Sequence, residues 1–306
     1  MVGAENVPIF TPSGSDPVLK PSQSWEGTTI LQVSVIFDQG MYKAWYSAGQ
    51  VAGGAFVSSI GYATSNDGVA WTKYSGNPVF TKGSGFDSSS VSFANVVKAG
   101  NQYYMYYRGH DGSNARIGLA TSNDGISWTR YSSNPLFSGS HPNVVFANNQ
   151  WNMWYDVEGS MKYAASPDGT TWSQTGSTII GPPPGRINAF APSVVYTGDM
   201  FHMWFASDNS TTPSLDLSRL FYATSNDGKT WNVYSEDPLP GAIDIGYATV
   251  VTGSTSHLWF NKGPGILLAT STTPIPEFQG TYGNILLIFT LTLAVGFAYF
   301  VKYKRS

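Results

Sequence analysis

Residues 60–72 read Ile-Gly-Tyr-Ala-Thr-Ser-Asn-Asp-Gly-Val-Ala-Trp-Thr, and three later segments repeat this order of an alternating run, an Asp-Gly pair and a tryptophan. The copies lie at residues 117–129, 162–173 and 221–232. Asp-Gly between two alternating runs is a strong hairpin signal, because both residues tolerate the positive φ of a tight turn. The sequence therefore predicts four repeated strand–turn–strand units.

A second strand pair precedes each hairpin and ends in an aromatic run, such as residues 42–46. A fifth pair at residues 250–260 leads to residues 265–271, where the chain has neither an Asp-Gly turn nor a last strand. Asp16-Pro17-Val18-Leu19 resembles the Asn77-Pro78-Val79-Phe80 segment that follows a complete unit. We therefore predict an all-β fold over residues 1–272, a five-bladed β-propeller closed by the N-terminal strand.

The residues that mark the repeat are predicted to be structural. The tryptophans are expected to pack between blades as aromatic wedges. The aspartates of the turns are expected to bond their own backbone, as Asp side chains do in tight turns. These turn residues are Asp67, Asp124, Asp168 and Asp227.

Composition narrows the possible functions. The 306 residues include no cysteine, which excludes disulfides and cysteine-ligated metal sites. The net charge is −3, so binding to nucleic acid has no electrostatic support. Four histidines show no ligand spacing, and no nucleotide-binding fingerprint is present. We therefore predict neither a metal nor a cofactor.

Residues 285–301 form a run of 17 uncharged, mainly apolar residues, which predicts one C-terminal transmembrane helix. Residues 302–306 follow as a basic tail, which the positive-inside rule places in the cytoplasm with the propeller outside the cell. Residues 1–24 show no secretory signal pattern. Two interpretations remain open. Either a secretory signal lies upstream of residue 1, which we favour, or the protein is tail-anchored with a cytoplasmic propeller.

Residues 273–284 read as a proline- and glycine-containing linker between propeller and helix. Within it, Pro276-Glu277-Phe278 precedes the apolar run and the basic tail. This three-part order resembles archaeal sorting signals. The resemblance implies a sorting transpeptidase as a partner and cleavage of the helix, whereas the alternative is a plain linker to a permanent anchor in the lipid bilayer.

The repeated "Gly-Tyr-Ala-Thr-Ser-x-Asp-Gly-x-x-Trp" hairpin and the "Met-Trp-Tyr" strand resemble the five-bladed glycoside hydrolase clan. That clan includes arabinanases, β-xylosidases, invertases, levansucrases and mannoside phosphorylases. The resemblance implies carboxylates at the starts of inner strands, and the matching positions here are Gln32, His141 and Phe190. None of them is a carboxylate, so the catalytic set implied by the resemblance is absent.

Other polar groups are predicted to converge on the axial mouth, where they would bind a glycan or another small polar ligand. The catalytic candidates are Asp87, Asp156 and Asp244, and the substrate-binding candidates are Glu26, Trp25, Arg108, His110, His141 and Arg186. Three hypotheses remain open: a membrane-tethered carbohydrate-binding propeller, an active glycoside hydrolase or phosphorylase, and an envelope scaffold without a small ligand. Whether the protein is an enzyme is left undecided.

Overall fold

The computed structural model describes residues 7–52, 55–209, 218–242, 244–273 and 275. It confirms the predicted all-β five-bladed propeller, with five antiparallel sheets among the described residues. Within these ranges, no helix is long and apolar enough to cross a bilayer. The predicted transmembrane helix at 285–301, the sorting motif and the basic tail lie outside the described residues.

In blades 1 to 4 the four main strands pair in chain order from the propeller axis outwards. Blade 1 contains Thr29–Asp38, Met41–Ala52, Ala55–Ser65 and Thr72–Lys73. Blade 2 contains Ser90–Ala99, Gln102–His110, Ala115–Ser122 and Thr129–Arg130, with Phe137–Ser138 also paired to its third strand. Blade 3 contains Ser140–Ala147, Gln150–Val157, Ser160–Ser166 and Ser173–Gln174. Blade 4 contains Asn188–Tyr196, Phe201–Asp208, Arg219–Ser225 and Asn232–Val233.

Blade 5 is built from both ends of the chain. Its strands are Ala248–Val251, Ser256–Lys262, Gly265–Ser271 and the N-terminal Thr11–Pro12. Thr11 pairs with Thr270, and the Val18 N–H donates to the Ile266 carbonyl at 2.8 Å. The predicted closure by the N-terminal segment is therefore confirmed. A single 3₁₀ turn, Ser24–Glu26, leads from this segment into blade 1.

The five inner strands surround the axis, and each contacts its neighbours on both sides. Small polar side chains join them by accepting backbone hydrogen bonds from the next blade. Ser34 Oγ accepts from Val96 N at 3.0 Å, and Asn95 Oδ1 accepts from Val144 N at 2.9 Å. These bonds satisfy backbone groups that the inner edge of a sheet would otherwise leave unpaired.

Aromatic side chains fill the blade interfaces, and the tryptophans of the repeat pack there as predicted: Trp128 lies edge-on to Trp45 and Trp231 edge-on to Trp154, with ring centroids 6.2 and 6.0 Å apart. Trp45 of blade 1 is fully buried, and its Nε1 donates to the Gly125 carbonyl in the Asp-Gly turn of blade 2 at 2.7 Å. Trp154 bonds the Gly228 carbonyl in the same way at 2.8 Å. In the turns themselves, Asp124 Oδ1 accepts from two backbone N–H groups at 2.7–2.8 Å. These bonds lower the pKa of Asp124 to about 2.

The interface between blades 4 and 5 departs from this pattern, because blade 5 has no Asp-Gly turn. Trp204 occupies the position of Trp45 and Trp154, but its Nε1 is buried without a hydrogen-bond partner among the described residues. Phe10 of the N-terminal segment packs edge-on against Trp204, with ring centroids 6.0 Å apart. An apolar ring from the N-terminal segment thus packs where the other interfaces use a turn.

Candidate functional site

The inner strands of blades 1 to 4 are irregular near the axial mouth. Their pairing with the second strands shifts between Ile30 and Gln32 in blade 1, and one position closer to the aromatic residue of the second strand in blades 2, 3 and 4. The register makes five residues equivalent, and all five line one axial pocket: Gln32, Phe93, His141, Ala191 and Tyr247. Register therefore assigns the blade 4 position to Ala191 rather than to Phe190, and no carboxylate stands at any of the five positions.

His141 is held by a carboxylate of its own blade. Its Nδ1 lies 2.6 Å from Asp156 Oδ1, which also accepts from the Ala191 N–H at 3.2 Å. Because a carboxylate only accepts, a neutral His141 carries its proton on Nδ1 and leaves Nε2 as an acceptor. Nε2 and Gln32 Oε1 are both buried without a partner among the described residues. The pocket thus contains one unpartnered acceptor, Gln32 Oε1, and one unpartnered ring nitrogen, His141 Nε2, which accepts in the neutral imidazole.

Two aromatic rings, Phe93 and Tyr247, form an aromatic cover over His141. Their centroids lie 4.2 and 5.1 Å from that of the imidazole. Phe93 and His141 both have positive φ, at 52° and 48°. Such backbone is uncommon for residues other than glycine and clusters at functional sites. Burial and the nearby Asp156 charge raise the pKa of Tyr247 well above its ordinary range, so the phenol stays protonated.

Arg108 brings a positive charge to the same cluster. Its guanidinium carbon lies 5.8 Å from the Phe93 ring centroid. Burial lowers the pKa of Arg108, while Tyr247 and Asp156 act in the opposite direction. Among the described residues, no carboxylate lies within ion-pair distance of Arg108. The structure therefore brings together three predicted site residues, Arg108, His141 and Asp156.

Two of the predicted site carboxylates instead form equivalent buried ion pairs, each of which we call a latch. Asp87 accepts from Arg130 Nε at 2.8 Å and from Tyr107 OH at 3.0 Å. Glu26 accepts from Lys73 and from Tyr46 OH in the same arrangement, at 2.6 and 2.7 Å. Each latch joins the loop that enters a blade to the outer strand of that blade, an arrangement typical of a structural ion pair.

The other predicted residues are placed around rather than in the axial pocket. Trp25 stacks on Tyr46 with ring centroids 5.8 Å apart. Arg186 lies over Phe221, with its guanidinium carbon 5.6 Å from the ring centroid. His110 Nδ1 accepts from Gly112 N at 3.1 Å, and burial together with Arg108 lowers the pKa of His110. Asp244 has φ 63°, and its N–H donates to the Ser218 carbonyl at 2.9 Å.

Sequence reasoning missed Phe93, Ala191 and Tyr247. Phe93 and Ala191 sit in bulges, which add a residue and shift the apparent strand register. These positions could have been found from their spacing in sequence, because each lies two residues before the inner-strand partner of the second-strand aromatic. Counting inward from Tyr106 and Trp204, through their partners Asn95 and Ser193, gives both bulge positions.

A scan against protein-family models finds no match. Over 178 residues the chain is 29% identical to an uncharacterised protein of Mycobacterium tuberculosis, and the match covers 50% of this chain and 57% of that protein. It is 30% identical over 123 residues to a 1,2-β-oligomannan phosphorylase of Thermoanaerobacter sp., covering 37% of this chain and 41% of the phosphorylase. The chain thus spans about half the length of the curated relatives it matches.

Among solved structures, the chain resembles the β-1,2-mannobiose phosphorylase of Listeria innocua in complex with β-1,2-mannobiose. The TM-score is 0.72 at 12% identity, covering 86% of this chain and 97% of the phosphorylase. The fold is that of the glycosidase-like five-bladed propellers. In this glycosidase-like propeller, no group of three or more histidine and carboxylate side chains within the described ranges is arranged to hold a metal ion.

Proposed function

We propose that the chain is a carbohydrate-binding propeller whose site is the axial mouth. Sugars are bound by aromatic faces combined with a few fixed polar groups, because a sugar ring has apolar C–H surfaces and a rim of hydroxyls. The mouth supplies the rings of Phe93 and Tyr247 and the polar groups of His141, Asp156 and Arg108. That the L. innocua phosphorylase holds β-1,2-mannobiose supports a glycan as the ligand.

The observation that carries this proposal is that Asp156 is the carboxylate seen to bond the axial positions among the described residues. Glycoside hydrolysis ordinarily uses two, about 5–10 Å apart, one as acid and one as base or nucleophile. Asp156 bonds two residues that line the axial pocket, His141 through Nδ1 and Ala191 through its N–H, and no second carboxylate of the described residues is seen paired with it there. Binding without hydrolysis is the function that this arrangement supports best.

Asp156→Asn should weaken binding of β-1,2-mannobiose to the full chain by about 10- to 100-fold, the loss of one hydrogen bond to a charged group. Asparagine Oδ1 can still accept from the Ala191 N–H and from His141 Nδ1–H, but it carries no charge, so the charge-assisted hydrogen bond that orients His141 is lost. Titration calorimetry measures the affinity, and circular dichroism checks the fold. Glu236→Gln, which removes an exposed carboxylate, is the control and should bind as the parent does.

A glycoside phosphorylase is the second candidate function. The local similarity to the Thermoanaerobacter phosphorylase and the Asp156–His141 hydrogen bond favour it, because one acid group is sufficient when phosphate supplies the nucleophile. A panel of aryl glycosides, with and without phosphate, separates the two. Phosphate-dependent turnover that Asp156→Asn abolishes would replace the binding proposal with this one.

We further propose that residues 285–301 tether the propeller to a membrane, with the propeller outside the cell. The uncharged run followed by Lys302, Lys304 and Arg305 supports this assignment. Fractionation should find the full chain in membranes and a chain ending at residue 284 in the soluble fraction. Protease added to intact cells should degrade the propeller. Equal solubility of the two chains would contradict the tether.

A further inference from the structure

A ring of five second-strand positions surrounds the mouth, each directly after the two consecutive aromatic residues of its strand. Its members are Ser47, Arg108, Asp156, Ala206 and Asn261. Three of them accept hydrogen bonds from backbone N–H groups of the inner strands. Ser47 Oγ accepts from Phe93 N at 2.8 Å, Asp156 from Ala191 N at 3.2 Å, and Asn261 from Tyr247 N at 2.8 Å. The usual task of this ring is to accept backbone N–H bonds at the mouth.

Arg108 breaks this pattern, because a guanidinium has five donors and no acceptor. It cannot cap a backbone N–H as Ser47 and Asp156 do. Arg108 forms no hydrogen bond and no ion pair among the described residues, and its guanidinium lies near the face of the Phe93 ring. Asp156 acts on Arg108 from beyond ion-pair distance, and a partly buried charge without a direct ion pair costs free energy that a bound oxyanion would offset. This position therefore favours an oxyanion that comes from outside the chain.

Two polar groups that line the axial pocket need a hydrogen-bond donor instead of an anion. Gln32 Oε1 and, in the neutral imidazole, His141 Nε2 are acceptors, so they need donors such as sugar hydroxyls rather than an oxyanion. Both atoms are buried, so the side chains that line the pocket must shift for a hydroxyl to reach them. A ligand that satisfies both demands carries hydroxyls and an anionic group together.

We propose, on the basis of the binding function above, that the glycan recognised at the mouth is acidic and that the Arg108 fork binds its carboxylate. The matching of a planar guanidinium to a planar carboxylate by two parallel hydrogen bonds gives this contact its specificity. The same oxyanion chemistry is offered by free inorganic phosphate. The experiment therefore includes phosphate as a separate arm.

The probes are the methyl glycosides of mannuronic acid and of mannose, which differ only in the carboxylate, with inorganic phosphate as the third. Binding to the full chain is measured by NMR or calorimetry at two salt concentrations. The acidic sugar should bind at least tenfold more tightly than the neutral one. Arg108→Gln should abolish that preference, and Arg108→Lys, which keeps the charge but loses the fork, should retain part of it. Lys262→Gln, an exposed cation of blade 5, is the matched control.

Equal binding of both sugars that Arg108→Gln leaves unchanged would overturn the acidic-ligand proposal and leave carbohydrate binding intact. Phosphate that binds alone, and loses affinity in Arg108→Gln while the two sugars do not differ, would assign Arg108 to free phosphate and also overturn it. Binding of neither sugar to the parent chain would overturn both proposals. Circular dichroism of Arg108→Lys and Arg108→Gln shows that a loss of binding is not a loss of fold.

Discussion

Phe10→Ala is expected to lower the free energy of unfolding by about 3–5 kcal/mol, the usual cost of truncating a fully buried phenylalanine. Phe10 is 1% exposed and packs against Trp204 between blades 4 and 5. Its N–H also donates to the Pro238 carbonyl at 2.8 Å, which ties the N-terminal segment to blade 4. Urea unfolding followed by tryptophan fluorescence measures the change.

The control is Thr11→Ala, an exposed neighbour in the closing strand, which should change stability by less than about 0.5 kcal/mol. A loss below about 1 kcal/mol for Phe10→Ala would mean that the N-terminal segment contributes little to ring closure. A large loss with an unchanged m-value would locate the effect in the stability of the folded ring.

Glu26→Gln is expected to cost about 3–5 kcal/mol of stability, because removing one partner of a buried ion pair leaves the other uncompensated. Glu26 is fully buried and bonds Lys73 and Tyr46. Burial alone would raise the pKa of Glu26, but Lys73, two backbone N–H groups and Tyr46 together lower it. Urea unfolding at neutral pH measures the difference.

The pH dependence of this effect follows from the lowered pKa. A carboxyl whose pKa falls on folding stabilises the protein above its ordinary pKa, here 4.5, and this contribution is lost as the pH falls through the folded-state value. The difference between the parent and Glu26→Gln should therefore shrink in acid. Asp16→Asn, an exposed carboxylate, is the control. Weaker glycan binding by Glu26→Gln without lost stability would contradict the latch and support the predicted substrate role.

The blade count and the ring closure were predictable because the repeat carries its own local chemistry. The Asp-Gly turns are stabilised by bonds within a few residues, such as Asp67 Oδ1 with Val69 N and Ala70 N, both at 2.8 Å. A turn that bonds itself is visible in sequence alone. The tryptophan after each turn follows at a fixed spacing, so its place between blades was also predictable.

The site was less predictable, because it is assembled from residues that no local pattern connects. Asp156 bonds His141 on the neighbouring strand of blade 3 and Ala191 on the adjacent blade 4. Glu26 and Asp87 precede their blades at equivalent positions, but their burial against Lys73 and Arg130 depends on the outer strands. Sequence spacing alone does not distinguish a carboxylate in a latch from one at the axis.

The division of blade 5 between the two ends of the chain also orders events during synthesis. Thr11 cannot pair with Thr270 until almost the whole propeller has left the ribosome. Until then the apolar side chains of the opening segment, Phe10 among them, have no blade to cover them. The N-terminal segment must therefore stay unpaired and unaggregated until blade 5 emerges, and a chaperone that binds its exposed apolar side chains would protect it during synthesis.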